Sequence, residues 1–599
     1  MLFDDGEIKP SFGAYFGGAF GPGRLLAGAN IQGRYNPKLK QSLRFGDSPE
    51  NNPDFFTDDF DNREDQTDTR DGTDYAANLS WIFDNGSTSF ELSGNYVRTE
   101  REEDERSFEY NDLTAINGPV RATPAGNLLT DNENFNDITQ SSWNVSAELG
   151  QEWSLGETTL RGSFARFDDD QFEYEYEVDF NRSAPRFTGD LTSRDIRDDE
   201  FALELDHEFE LSEDFDLEIG GLAQNKDRDT SIAAIRSRFN LTAADRQGYD
   251  QFAERPGQFV PTFPALIATP GGLNTVQEDR RDVYALIEGE LGDINFEAGV
   301  RWENTEVTIA DFTVAPALAL TEVRYDYLLP SASAKIVLGD GRITVSGART
   351  MRRPRFDFIS PALLEAEYGD NDLLGNPQLR PETAWGGDLG YEHRIGRTGV
   401  AGVNVFYRSV QNLVEVANTG VEGSEGEGTF VLQPRNSGEG EVWGIEFDLS
   451  TSLGFIGLPD TGIFGNLGLV DSDITDTFGP RRFNGQSEYV YNVGFIHDLR
   501  RLGAAFGASY RKQGAAFDRI VGEEITTTYG ADLEVFVEKR IGDSFTIRAV
   551  GSNLLDSTKD EVFNKFTTIA DQTDRSFDEY ELESEQAGPV FQIIARYAF

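Results

Sequence analysis

In the stretch EVWGIEFDLSTSL (Glu441–Leu453), Trp443, Ile445, Phe447, Leu449 and Leu453 stand on odd positions. Gly444, Glu446, Asp448, Ser450 and Ser452 stand on even ones. A side-chain period of two belongs to a β-strand with one apolar and one polar face. The pattern recurs. Trp143, Val145, Ala147 and Leu149 alternate with Asn144, Ser146 and Glu148. Phe201, Leu203, Leu205, Phe209 and Leu211 alternate with Glu204, Asp206, Glu208 and Glu210. Ile294–Trp302, Val403–Tyr407 and Leu533–Ile541 repeat it. About twenty or slightly more such segments are legible, most with the ~10-residue length of a tilted membrane strand rather than the ~5–6 of an average globular one. Helical periodicity is scarce; PALLEAEYG (Pro361–Gly369) predicts a turn or two of helix.

The apolar faces need a solvent. No run of ~18 apolar residues exists to form a membrane helix. Low mean hydropathy does not exclude a membrane barrel, because only alternate residues touch lipid. Three features favour lipid: the strands are long, the opposite faces stay charged, and the chain ends VFQIIARYAF, with Phe591, Ile593, Ala595, Tyr597 and Phe599 on one face. Strands in hydrocarbon must close on themselves, since every backbone group needs an internal partner. Connections come in two kinds. Asp84–Thr88, Leu211–Phe215, Leu291–Asp293, Gly339–Arg342, Ile395–Gly399 and Ile541–Ser544 read as tight turns. Lys38–Asp71, Glu100–Ile138, Asn225–Asp282, Met351–Glu382 and Ser557–Ala587 read as long polar loops. The expected fold is all-β: one large antiparallel transmembrane β-barrel over residues 1–599, of about 20–22 strands, with short turns at one end and long acidic loops at the other.

Composition excludes several functions. There are 106 acidic and 53 basic residues, a net charge of −53, the opposite of a nucleic-acid-binding surface. Cys is absent, and the three His (His207, His393, His497) are far apart in sequence. No nucleophile elbow and no His/Cys metal spacing occurs, so no catalytic residue, metal site or cofactor is expected. Asp65, Asp68 and Asp71, in the acidic stretch Asp58–Tyr75, are a conceivable Ca²⁺ set, but their spacing of three is not that of an EF-hand and a solvated loop is the simpler reading. Glu-rich Arg98–Tyr110 reads the same way. The aromatics of Phe164–Asn181 fit a membrane-interface girdle, or else a stacking platform for a ligand. Arg352, Arg353 and Arg355 concentrate positive charge. They could meet an anionic ligand or lipopolysaccharide phosphate, or clamp acidic groups of a plug from the inner wall.

Several segments resemble TonB-dependent outer-membrane receptors. RRPRFDFISP (Arg352–Pro361), GNPQLRPETAWGGDLGYEHRI (Gly375–Ile395), NVFYRSVQNLV (Asn404–Val414), NSGEGEVWGIEFDLS (Asn436–Ser450), FNGQSEYVYNVGFIHD (Phe483–Asp498) and GSNLLDSTKDE (Gly551–Glu561) follow the family's order. Phe599 completes a terminal strand like the family's assembly signal, whose positions here are Phe591, Ile593, Tyr597 and Phe599. The resemblance implies a Gram-negative outer-membrane location and uptake of a scarce, bulky nutrient: a ferric siderophore, an oligosaccharide, cobalamin or haem. It implies membrane lipid and lipopolysaccharide, the barrel-assembly machinery, TonB and a small-molecule or oligosaccharide ligand as partners. It also implies a plug domain and a TonB box. The barrel pattern starts almost at once, with Ser11–Phe20 and Arg24–Tyr35. The chain therefore reads as a receptor's barrel portion, without plug or TonB box. A closed barrel has no edge to pair, which favours a monomer. A passive porin-like channel and a soluble β-rich binding protein are the competing readings.

Overall fold

The computed structural model describes residues 1–57, 60–111, 128–242, 255–368, 371–424 and 426–599. All six expected tight turns are present, each joining two antiparallel strands. Two show why glycine recurs there: Gly292 and Gly542 adopt φ of 67° and 64°, where a side chain would be strained.

The strands form one continuous sheet of 28. Following the pairings from Ser11–Phe20 to Val590–Tyr597 gives twenty-one staves among the described residues, each antiparallel to the next. The remaining short strands form a rim. One of them, Glu579–Gln586, pairs with Leu39–Phe45 of the second stave and joins the two ends of the sheet there.

Many staves are far longer than a bilayer requires. Leu128–Trp153 has 26 residues, Arg186–Ser212 has 27 and Gly426–Leu453 has 28. Much of what reads as loop in Lys38–Asp71, Glu100–Ile138 and Asn225–Asp282 is therefore strand, with staves reaching Phe45, Tyr110 and Asn240 before they turn. Above the apolar band both faces are polar, so the alternation that betrays a strand vanishes while the backbone ladder continues. Cross-strand ion pairs replace apolar pairs: Arg44 Nη2 lies 2.7 Å from Glu64, Lys40 Nζ 2.8 Å from Glu583 and Lys38 Nζ 3.1 Å from Glu585. Pro361–Gly369 is also corrected. Leu363–Tyr368 is a strand paired with Asn371–Leu374, and the single helical turn lies just before it, at Phe356–Ile359. Pairing outweighs the helical propensity of its Leu, Ala and Glu.

The apolar band is marked by aromatics. On one stave Trp143 and Trp153 stand on the outer face ten steps apart. At ~3.4 Å per step and a tilt of ~40° these span ~26 Å, the height of a barrel's lipid belt. Level with Trp143, Tyr96 pairs with it, Phe164 with Phe201, Trp302 with Leu328 and Tyr407 with Trp443. One step of two residues above, the same face turns charged: Arg166 bonds Asp199 at 2.6 and 2.9 Å. Phe164 thus belongs to the girdle. Tyr174 and Tyr176 rise above it and pack, with Tyr110, Val178 and Phe187, against Phe259 and Phe263 in an apolar cluster on the outer register.

A lipid-facing charge should cost far more than a lumenal one. Leu149→Arg, midway between the two tryptophans, should destabilise the folded barrel by ~2–4 kcal/mol, whereas lumen-facing Asn295→Arg should stay within ~0.5 kcal/mol. Urea titration in detergent, read by the gel mobility of unheated samples, measures both.

Candidate functional site in the vestibule

The segment after the stave Gly341–Arg352 folds inward and lies on the lumenal wall above the girdle. Its one-turn helix places Ile359 among Val276, Val307, Ile309 and Leu379, flanked by Tyr325, Phe356, Phe358 and Val414. Val276, Val307 and Ile309 sit on the lumenal register of their staves. The wall is thus locally apolar where the segment docks.

Charge fixes the root of this segment. Arg353 hydrogen-bonds Glu303, and Arg280 reaches the same carboxylate at 3.1 Å. Arg301 lies 2.7 Å from Asp282. Asp282 and Glu303 are each 3% exposed, and the guanidinium partners offset the cost of burying them. Arg228 joins Asp357 of the helical turn to Asp198 of the wall.

The three sequence candidates do not converge. Arg353 faces Glu303. Arg352 is exposed and lies 3.5 Å from Glu382. Arg355 is exposed beside the Phe358 ring, 5.9 Å from its centroid. Of the three, Arg352 and Arg355 are the exposed ones at this lip.

Sequence reading missed the lock at the far end of the segment, though its residues sit inside the quoted motifs. Gly375 passes so close to the Ser360 carbonyl that a Cβ would lie 1.7 Å from that oxygen. Asn376 donates its amide to Pro434 O at 3.0 Å and its backbone N–H to Phe358 O at 2.6 Å. Asn436 exchanges two bonds with the Arg380 backbone, each 3.0 Å, and donates to Asn412 O at 2.9 Å. Glu382 accepts the Val414 N–H at 2.6 Å. Motifs roughly 60 residues apart in sequence meet here. A second knot ties the rim: Arg481 pairs with Glu415 at 2.8 Å and with Asp476 at 2.8 Å, and Arg519 reaches Asp476 at 3.0 Å.

The remaining candidates disperse. Asp65 and Asp71 lie on one face of the strand Asn62–Asp84 and Asp68 on the other, so the expected Ca²⁺ set cannot converge. Asp71 instead holds Lys9 at 2.7 Å. Asp58, at the start of that stretch, falls outside the described residues. Among the described residues no group of three or more His, Cys, Asp or Glu could hold a metal ion. Each of His207, His393 and His497 hydrogen-bonds a nearby hydroxyl, of Thr158, Tyr391 and Thr461, at 2.8, 3.2 and 2.8 Å. Arg98–Tyr110 is stave, not loop. Phe591, Ile593 and Tyr597 lie on the lipid register of the last stave, and Phe599 is fully exposed beyond it.

The family model for the β-barrel of TonB-dependent receptor-like proteins matches residues 221–554, more than half of the chain. The chain belongs to that family. Comparison with curated proteins finds no match. Among solved structures, the copper transporter OprC is similar with a TM-score of 0.51 at 9% identity, over 93% of this chain and 85% of that one. The ferric-catecholate import receptor Fiu of E. coli K12 gives 0.51 at 11% identity, over 92% and 81%. The siderophore receptor PirA of Pseudomonas aeruginosa gives 0.45 at 14% identity, over 93% and 80%. At such identities the likeness is one of fold. TonB-dependent receptors are receptors and transporters of the outer membrane rather than enzymes. The short turns are accordingly the periplasmic end and the rim is extracellular.

Two outcomes follow. Arg353→Met and Glu303→Gln should each release the folded-in segment, seen as at least tenfold faster tryptic cleavage after Arg355 with the staves intact. The second concerns Glu105, on the lumenal face well above the girdle. Burial, then Asp68, push its carboxyl up to about 7 from 4.5. A carboxyl raised on folding supports the fold fully only below about pH 4.5, and that support is lost as pH rises through about 7. Glu105→Gln should flatten the stability profile between those values and raise stability above pH 7 by ~1–3 kcal/mol, read by thermal melts across pH.

Proposed function

We propose that this chain forms the wall and extracellular vestibule of an importer that admits a scarce, bulky nutrient across a Gram-negative outer membrane. The observation that carries this reading is the folded-in segment. That segment is docked on the inner wall by both an apolar patch and a buried arginine–carboxylate root, and gives an entering ligand a shaped wall to meet. The long staves raise a deep vestibule above the membrane, and Arg352 and Arg355 stand at its inner lip as candidate ligand contacts. The cargo class is that of a ferric siderophore, an oligosaccharide, cobalamin or haem. OprC and Fiu, which carry copper and ferric catecholates by name, make a metal complex the first class to try.

Energised opening belongs to a plug and a TonB contact that act with this barrel. Lipid and lipopolysaccharide surround the girdle, the barrel-assembly machinery reads Phe591, Ile593, Tyr597 and Phe599, and the barrel works as a monomer.

The test combines ligand binding with conductance. The purified chain is titrated with ferric catecholates, cobalamin, haem and oligosaccharides, following tryptophan fluorescence, and then inserted into planar bilayers. Micromolar binding of one class, lost at least tenfold in the double variant Arg352→Gln, Arg355→Gln, is the expected result. Failure of every class to bind, together with a conductance that no ligand alters, would instead favour a porin. Recovery of folded protein in plain buffer would remove the membrane reading.

A further inference from the structure

Charge is divided around the periplasmic end of the barrel. The turns Asp84–Thr88, Trp153–Gly156, Leu211–Phe215 and Leu291–Ile294 follow one another along one arc. Within four residues on either side they carry acids, among them Glu152, Glu157, Glu213, Asp214, Glu290 and Asp293, and no Lys or Arg. Basic side chains gather on the other arc. The turns Leu499–Ala504 and Ile541–Phe545 are neighbours there, because the staves Ala504–Gln513 and Asp532–Ile541 pair with each other. Together they bring Arg500, Arg501, Lys539 and Arg540 to one place, in a chain whose net charge is −53.

Backbone contacts lock the two turns side by side. Arg540 donates its N–H to Gly503 O at 2.8 Å, and the Lys539 ammonium donates to Leu502 O. Carboxylates on these turns neutralise only part of the patch. Asp460 lies 2.7 Å from Arg500 and Glu538 3.6 Å from Arg540, yet those two arginine side chains remain 69% and 74% exposed. Arg501 and Lys539 have no carboxylate partner among the described residues, although Asp498 and Asp543 sit on the same turns.

The patch is continuous with the lipid belt. Lys539 stands on the lipid register between Val537 and Ile541, both exposed on the outer face. Leu502 on its turn, and Phe455 and Ile456 on the adjoining turn, are exposed beside the arginines, and the Arg500–Asp460 pair joins those two turns. Apolar side chains thus lie next to cationic ones where hydrocarbon gives way to headgroups.

We propose that Arg500, Arg501, Lys539 and Arg540 bind the phosphodiester headgroup of an anionic phospholipid in the periplasmic leaflet. Guanidinium forks match phosphate oxygens, and the patch repels a headgroup that carries its own ammonium. The acidic arc repels the same anion, so the lipid is held on one side of the barrel only. The inference rests on the barrel and its orientation in the membrane, not on any cargo.

The test uses the full chain purified in detergent. It is incubated with equal amounts of phosphatidylglycerol, which is anionic, and phosphatidylethanolamine, which is zwitterionic, and retained lipid is read by native mass spectrometry. Phosphatidylglycerol should be retained at least ~10-fold over phosphatidylethanolamine. The preference should disappear in the quadruple variant Arg500→Gln, Arg501→Gln, Lys539→Gln, Arg540→Gln. It should persist in Arg98→Gln, Arg324→Gln, which removes charge from the outer face on the extracellular side. Gel mobility of unheated samples verifies that each variant is folded. Should the quadruple variant not fold, the unaltered chain still decides, since its preference should fall at least ~5-fold between ~0.05 and ~0.5 M salt. Equal retention of the two lipids, or a preference that survives either the quadruple substitution or the salt, would overturn the proposal and leave this arc to an acidic protein partner. A chain that shows the lipid preference but binds no nutrient would sink the importer reading and leave the lipid site standing.

Discussion

Every backbone N–H and C=O in the lipid belt must find its partner within the protein, and the architecture follows from that requirement. It forces ladders rather than loops, antiparallel staves joined by two- and three-residue turns, and a cylinder rather than an open sheet. Once a ladder is fixed, side chains divide by parity. One face answers to hydrocarbon and the other to water, and Trp143 to Trp153 reads out the thickness of the hydrocarbon in ten steps of one strand.

Above the belt the same ladder persists after its original reason has gone. Water could solvate these backbone groups, yet staves such as Arg186–Ser212 continue for a dozen residues beyond the girdle. The stabilising interactions there are cross-strand ion pairs and two apolar clusters, one on the outer register and one on the lumenal wall. The wall cluster is what lets an irregular segment dock inside a cylinder that is otherwise lined with charge. The arginine–carboxylate root beside it makes the docking specific in position. Asp282 and Glu303 are too buried to tolerate another arrangement of Arg280, Arg301 and Arg353.

Sequence showed best what lipid and turn geometry dictate. Leu203 and Leu205 had to alternate with Glu204 and Asp206 because neighbouring residues meet different solvents. The turn at Gly292 was visible because few residues accept its φ. What stayed hidden depends on contacts distant in sequence. Ile359 meeting Val276 leaves no periodic trace, and a stave whose two faces are both charged, as at Glu100–Tyr110, looks like a loop. The motif residues Gly375, Asn376 and Asn436 were conspicuous as a pattern, but their role as a lock became visible only when Ser360, Pro434 and Arg380 came beside them. Arg352, Arg353 and Arg355 stand together in sequence, yet side-chain direction separates them, one to the wall and two to the lip.

The charge balance bears on how such a pore can be gated. Arginines throughout the vestibule are engaged by carboxylates, at Glu303, Glu415 and Asp476, so much of their charge is neutralised locally. The chain's excess of acids, −53 in formal charge, is what the water sees. That field extends only about 8 Å from the wall at physiological ionic strength, whereas a cylinder of some twenty staves encloses a wider lumen. Wall charge can bias which ions and ligands approach the lip, but it cannot close the centre. Closure has to come from matter that fills the bore. The folded-in segment narrows one side of the bore, because its root and lock hold it flat against the stave Ile294–Asp311 and its neighbours. Held there, it shapes the surface of the inner wall.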